Sequence, residues 1–148
     1  MKIKSLLAAS LLLTAGAVQA EQCEATIDST DSMQYGKKEM TVPKTCDEFT
    51  VKLTHSGQLE KSVMGHNWVL AKQGDAQAIA TDGMTAGMEN DYLKPDDQRV
   101  IAATKIIGGG EETSVTFSVD KLSGSDEYTF FCSFPGHLSM MQGTLVVK

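Results

Sequence analysis

The sequence predicts an all-β protein, an antiparallel β-sandwich with one short helical insertion. Two observations lead there. Apolar residues recur with period two in several short runs, and Gly- and Asp-containing turns separate those runs. A single alanine-rich segment, near 75–86, breaks that period. With 148 residues the chain holds one domain.

Residues 1–20 read as a secretory signal peptide. Lys2 and Lys4 form a positive n-region, 6–17 an apolar h-region, and Val18-Gln19-Ala20 a cleavage site before Glu21. The apolar run is short for a span, which needs about 20 residues, so no membrane anchor is expected. A single folded domain over 21–148 follows. The formal net charge is −6, and −8 once Lys2 and Lys4 are removed. That balance argues against nucleic acid or an anionic membrane surface as partner.

The elements follow in order. Residues 23–29 form a plausible first strand. In 49–55, Phe49, Val51, Leu53 and His55 share one face. In 66–71, His66, Trp68 and Leu70 stand together, which places Trp68 in the core. Asp75 is a candidate N-cap for the helical segment 75–86, and Gly83 and Gly87 weaken any helix beyond it. Residues 100–107 read as a strand that ends at Gly108-Gly109-Gly110. Val115, Phe117 and Val119 alternate before Leu122-Ser123-Gly124. Tyr128, Phe130 and Cys132 share a face of the next strand, and 145–147 closes the chain.

The chemistry concentrates in Cys132-Ser133-Phe134-Pro135-Gly136-His137-Leu138-Ser139-Met140-Met141. Pro135-Gly136 forces a turn that can fold His137 and a methionine back toward the sulfur. One thiolate and two imidazoles in a plane, with a weak axial thioether, is the arrangement of blue-copper electron-transfer sites. The second imidazole must come from elsewhere, and His66 is the leading candidate. His55, on the face of Phe49, Val51 and Leu53, reads instead as a partly buried histidine. Either Met140 or Met141 can reach the metal by sequence.

Three cysteines in an exported chain leave one over. Cys23 and Cys46 lie far from the motif and are paired as a disulfide. Cys132 is left for the metal, a free reactive thiol being the alternative.

Phe-Cys-x-Phe-Pro-Gly-His with Cys-x4-His-x3-Met resembles the azurin family of periplasmic blue-copper proteins. Met64-Gly65-His66-Asn67-Trp68 is similar to that family's other ligand segment, and Asp82-Gly83-Met84 and Asp91-Tyr92-Leu93-Lys94-Pro95-Asp96-Asp97 to its middle. The resemblance covers the chain after residue 20. It implies a Greek-key, cupredoxin-like sandwich holding one type 1 Cu(I)/Cu(II) ion. The implied ligands are His66, Cys132, His137 and Met141, with the Gly65 carbonyl as a distant axial contact. It further implies that Asn67 ties the two ligand loops together. The backbone N–H groups of Phe134 and Asn67 are candidate donors to the sulfur. Met33, Met64, Met84 and Met140 match an exposed apolar patch, with Leu59, Val63, Phe134, Pro135, Gly136 and Leu138 in or near it. The implied function is electron transfer in the periplasm, without enzymatic activity. The implied partners are redox proteins such as c-type cytochromes or periplasmic reductases and dehydrogenases.

The sequence departs from the family at Leu138, Ser139 and Met140, and Ala103 stands where some relatives carry a histidine. Two other readings compete. A Cys132–His137 nucleophile and base lacks an evident oxyanion loop. A structural zinc site would favour several cysteines over a methionine.

Overall fold

Nine strands build two sheets in the computed structural model, which describes residues 22–148. The expected signal peptide at 1–20 lies outside the described residues. The strands are β1 (Glu24–Thr30), β2 (Gln34–Tyr35), β3 (Glu39–Val42), β4 (Glu48–His55), β5 (Val69–Lys72), β6 (Val100–Ala103), β7 (Glu112–Ser118), β8 (Tyr128–Phe131) and β9 (Gln142–Val147). Two helices interrupt them, the single turn α1 (Lys61–Met64) and α2 (Ala76–Ala86). One sheet has the order β2-β1-β4-β7 and the other β3-β9-β8-β5-β6.

The sandwich is present, but its sheets are mixed. β1 pairs with β4 in parallel, and so does β3 with β9. A parallel pair needs a long crossover. Here β3 supplies one, because the chain leaves the first sheet after β2, visits the second and returns as β4. The Cys23–Cys46 disulfide sits where β1 and β4 begin, with Cα atoms 5.7 Å apart. The Thr50 N–H donates to the Cys23 carbonyl at 3.0 Å and continues that junction. The bridge closes a loop of 23 residues, which contributes about 3 kcal/mol in the chain-entropy model.

Alternation sets the core. In β4, Phe49, Val51, Leu53 and His55 are all buried, as period two requires. Phe49, Val51 and Leu53 meet Trp68, Leu70, Phe130 and Leu145 in one core. Trp68 is fully buried, and its ring lies between Phe117 and Phe130 at 6.2 and 6.0 Å. Its Nε1–H is the one buried side-chain polar atom without a hydrogen-bond partner among the described residues.

The helix lies outside the sandwich, as expected. Ala76 and Ile79 pack on Val69, Ala71 and Phe131 in a second cluster. β8 is therefore buried on both faces, Thr129 included. Asp75 makes no side-chain cap bond, because a 3-10 turn, Gln73–Asp75, already leads into α2. Gly83 lies inside the helix, within the expected span 75–86. A side chain there would meet the Tyr92 carbonyl at 2.0 Å, so the close approach of that loop requires glycine. Two strand boundaries are shorter than the periodicity implies. His66 forms only an isolated bridge to Ile107, outside β5 and β6.

Candidate metal centre

Two loops at one end of the sandwich carry the site. The first enters through α1 and Gly65, where an added Cβ would meet the Lys61 carbonyl at 2.4 Å and Ile106 Cγ2 at 2.6 Å. Only glycine lets the chain pass there and deliver His66. The second loop leaves β8 at Cys132 and turns at Phe134, whose carbonyl accepts from the His137 N–H at 3.0 Å. The His137 carbonyl then accepts from the Met141 N–H at 2.8 Å, and the Cys132 N–H donates to the Met141 carbonyl at 3.0 Å. The loop is thus a closed backbone ring that holds cysteine, histidine and methionine together.

The donor atoms of His66, Cys132 and His137 all lie within 4.8 Å of one another. Cys132 Sγ is 3.9 Å from His66 Nδ1, 3.6 Å from His137 Nδ1 and 3.9 Å from the Gly65 carbonyl oxygen. Cys132, His66 and Met141 are fully buried, and His137 is buried. Met141 belongs to the same core cluster as Cys132, whereas Met140 is 46% exposed. Neighbouring side chains have turned opposite ways, which decides between the two methionines.

Outer contacts fix the ligands. His66 Nε2–H donates to the Thr30 carbonyl at 2.9 Å, which leaves Nδ1 with its lone pair toward the sulfur. The backbone N–H groups of Asn67 and Phe134 favour the thiolate form of Cys132. The Asn67 side chain accepts from the Ser133 N–H at 2.9 Å and donates to Ser133 Oγ at 2.8 Å and the Asp91 carbonyl at 3.0 Å. Asn67 therefore joins both ligand loops to the segment around Asp91. The Tyr35 hydroxyl donates to the Asn67 carbonyl. Lys38 Nζ donates to the Met140 carbonyl at 2.7 Å. Sequence reasoning missed Thr30, Tyr35, Lys38, Asp91 and Ser133, since their hydrogen bonds join segments far apart in the chain.

His55 is not among the ligand atoms. Its Nε2 pairs with the Met64 carbonyl and its Nδ1 accepts from the Gly57 N–H, both at 3.0 Å. Its ring stacks on His66 at 4.6 Å. The expected patch residues are mixed in exposure. Leu59, Val63, Met84 and Met140 are 42–60% exposed, and Pro135 and Gly136 at the loop tip are exposed too. Met33, Met64, Phe134 and Leu138 are half-buried. The Phe134 ring lies 4.5 Å from His137 and 5.2 Å from Tyr92.

Burial keeps the donors neutral without a metal. It pushes the Cys132 thiol up to about 12, against the pull of the two N–H donors. It brings His66 down to about 4, against the Thr30 hydrogen bond, and lowers His137 too. A nucleophilic cysteine needs the opposite, a depressed thiol beside a cationic group. One thiolate, two imidazoles and a thioether suit a soft metal, and copper fits that set. Zinc sites of structural type favour more cysteines.

A family model described as copper binding proteins, plastocyanin/azurin family, matches residues 21–148. The chain is 61% identical to an azurin of Pseudomonas chlororaphis over 127 residues, 86% of this chain and 99% of that one. It is 57% identical to an azurin of Achromobacter denitrificans over 145 residues, 98% of this chain and 97% of that one. A solved azurin structure from the obligate methylotroph Methylomonas sp. strain J superposes with a TM-score of 0.84 at 52% identity, covering 86% of this chain and 99% of that one.

Proposed function

The chain belongs to the plastocyanin/azurin family of copper-binding proteins, and on that footing we propose that it shuttles single electrons between redox proteins of the periplasm. Its copper site is formed by His66, Cys132, His137 and Met141. It is an electron carrier and not an enzyme. The observation that carries the reading is the buried trio of soft and imidazole donors beside a sealed methionine. When bound, copper supplies the one-electron Cu(I)/Cu(II) couple.

The chain's own residues do the rest. Burial of His66, Cys132 and Met141 keeps water from the metal. The amides of Asn67 and Phe134 favour the thiolate, and the Asn67 side chain ties the loops so that both oxidation states see the same donors. The Gly65 carbonyl, 3.9 Å from the Cys132 sulfur, would offer the metal a further, weak oxygen donor. His137 is the exit for the electron, its ring backed by Phe134 near the surface.

The docking face is the apolar rim of Met33, Leu59, Val63, Met64, Met84, Phe134, Pro135, Gly136 and Met140. Its exposed aliphatic and thioether groups support that role. The partners are c-type cytochromes or periplasmic reductases and dehydrogenases. Export to the periplasm with loss of 1–20 is supported by the signal-like pattern, by a family match that begins at residue 21, and by a disulfide that needs an oxidising compartment. Residues 21–148 act as one domain.

Met64→Lys tests the docking face. A charge there must be desolvated on contact. Electron self-exchange, measured by NMR line broadening, should slow by about tenfold or more, with the visible spectrum nearly unchanged. An unchanged rate would mean that electrons enter elsewhere.

A further inference from the structure

We propose that Met84 and Met140 form an oxidant-sensitive pair whose conversion to sulfoxides turns docking off and leaves the copper site intact. The inference rests on the docking face described above. Four large hydrophobic side chains are exposed among the described residues, Leu59, Val63, Met84 and Met140. Only the two methionines react with two-electron oxidants. They are 50% and 46% exposed, while Met40 is 4% exposed and Met141 is fully buried. The thioether next to the copper is therefore sealed, and its sequence neighbour is open.

Both exposed methionines belong to the proposed docking face. Met84 lines a shallow groove between α2 and the ligand loop, together with Phe134, Pro135, Gly136 and Leu138. Met140 sits in the ligand loop itself, where its N–H donates to the His137 carbonyl at 3.0 Å. Its carbonyl is held by Lys38 Nζ at 2.7 Å. That backbone anchoring keeps the Met140 side chain outward while Met141 points in.

The chemistry balances with a peroxide as oxidant. A sulfur lone pair attacks one peroxide oxygen, the S–O bond forms and the O–O bond breaks. The second oxygen leaves as hydroxide and takes the proton from the sulfur-bound oxygen, giving the sulfoxide and water. Sulfur is oxidised by two electrons and the peroxide is reduced by two. The product replaces a flexible apolar tip with a polar S=O group. An interface that buries it must strip its water without offering a donor. Thiol-dependent sulfoxide reductases reverse the step.

The test treats the Cu(II)-loaded protein with millimolar hydrogen peroxide. Peptide mass spectrometry follows oxygen gain at each methionine, and the visible spectrum and NMR self-exchange rate are recorded on the same samples. Met84 and Met140 should gain oxygen at least about tenfold faster than Met40 and Met141, given their exposure. Self-exchange should then slow by about tenfold with the spectrum unchanged, and methionine sulfoxide reductase should restore it. In the Met84→Leu/Met140→Leu double variant, the exchange rate should no longer respond to peroxide. Oxidation of Met141 as fast as the exposed pair would overturn the proposal. So would fully modified Met84 and Met140 with unchanged exchange. If Met64→Lys slows exchange and the sulfoxides do not, this inference alone fails; if neither slows it, the docking face fails with it.

Discussion

Asn67→Ala should loosen the site without emptying it. The side chain makes three hydrogen bonds, to the Ser133 N–H, Ser133 Oγ and the Asp91 carbonyl. Their loss is not uniform. Ser133 Oγ still donates to the Asp91 carbonyl at 3.1 Å, so that carbonyl keeps a partner. The Ser133 N–H becomes an orphan in a residue that is 1% exposed. One orphaned buried donor costs about 1–3 kcal/mol and two lost bonds about 1 kcal/mol each, roughly 3–5 kcal/mol together. For a domain of this size each kcal/mol lowers Tm by about 4 °C, so the fall should be about 12–20 °C. Calorimetry of the copper-free protein measures it, because bound copper would add its own stabilisation. A fall of less than about 4 °C would refute the idea that Asn67 joins the loops.

Replacing Cys23 and Cys46 together by alanine should cost about 3 kcal/mol and leave the copper spectrum intact, since the bridge lies at the start of β1 and β4. Thiol titration of the unfolded, copper-free and unreduced wild type should find Cys132 alone, and three thiols would show the bridge absent in solution. Met141→Leu should keep copper and colour but raise the reduction potential by voltammetry, because a donor to Cu(II) is gone. Met140→Leu should leave the potential nearly unchanged, and the reverse pattern would put the axial register off by one residue.

Much of this was legible in the sequence, for definite reasons. Phe49, Val51, Leu53 and His55 alternate, and all four point inward. Trp68 and Leu70 share the main core while Val69 and Ala71 face α2, as period two demands. The ligand loop was readable because its chemistry is packed into ten residues around a Pro-Gly turn. What stayed hidden depends on contacts across long separations. Asn67, Asp91 and Ser133 meet across 24 to 66 residues, and no local pattern announces that. The parallel pairings were equally hidden, because β3 and β9 lie at opposite ends of the described chain. Asp75 misled for a local reason, as an acidic residue before a helix caps it only when the entry is extended, and here a 3-10 turn precedes it. His55 was rightly set apart from the ligands, yet its stacking on His66 needed the folded sheets to bring β4 against the first ligand loop.

Copper held by Cys132, His66, His137 and Met141 is bound through a thiolate. A visible spectrum recorded during copper titration of the purified chain tests it most directly. Intense blue absorption should grow to saturation at one copper per chain, and Cys132→Ser should abolish it. A wild-type chain that binds copper and stays colourless would rule out a copper–thiolate bond.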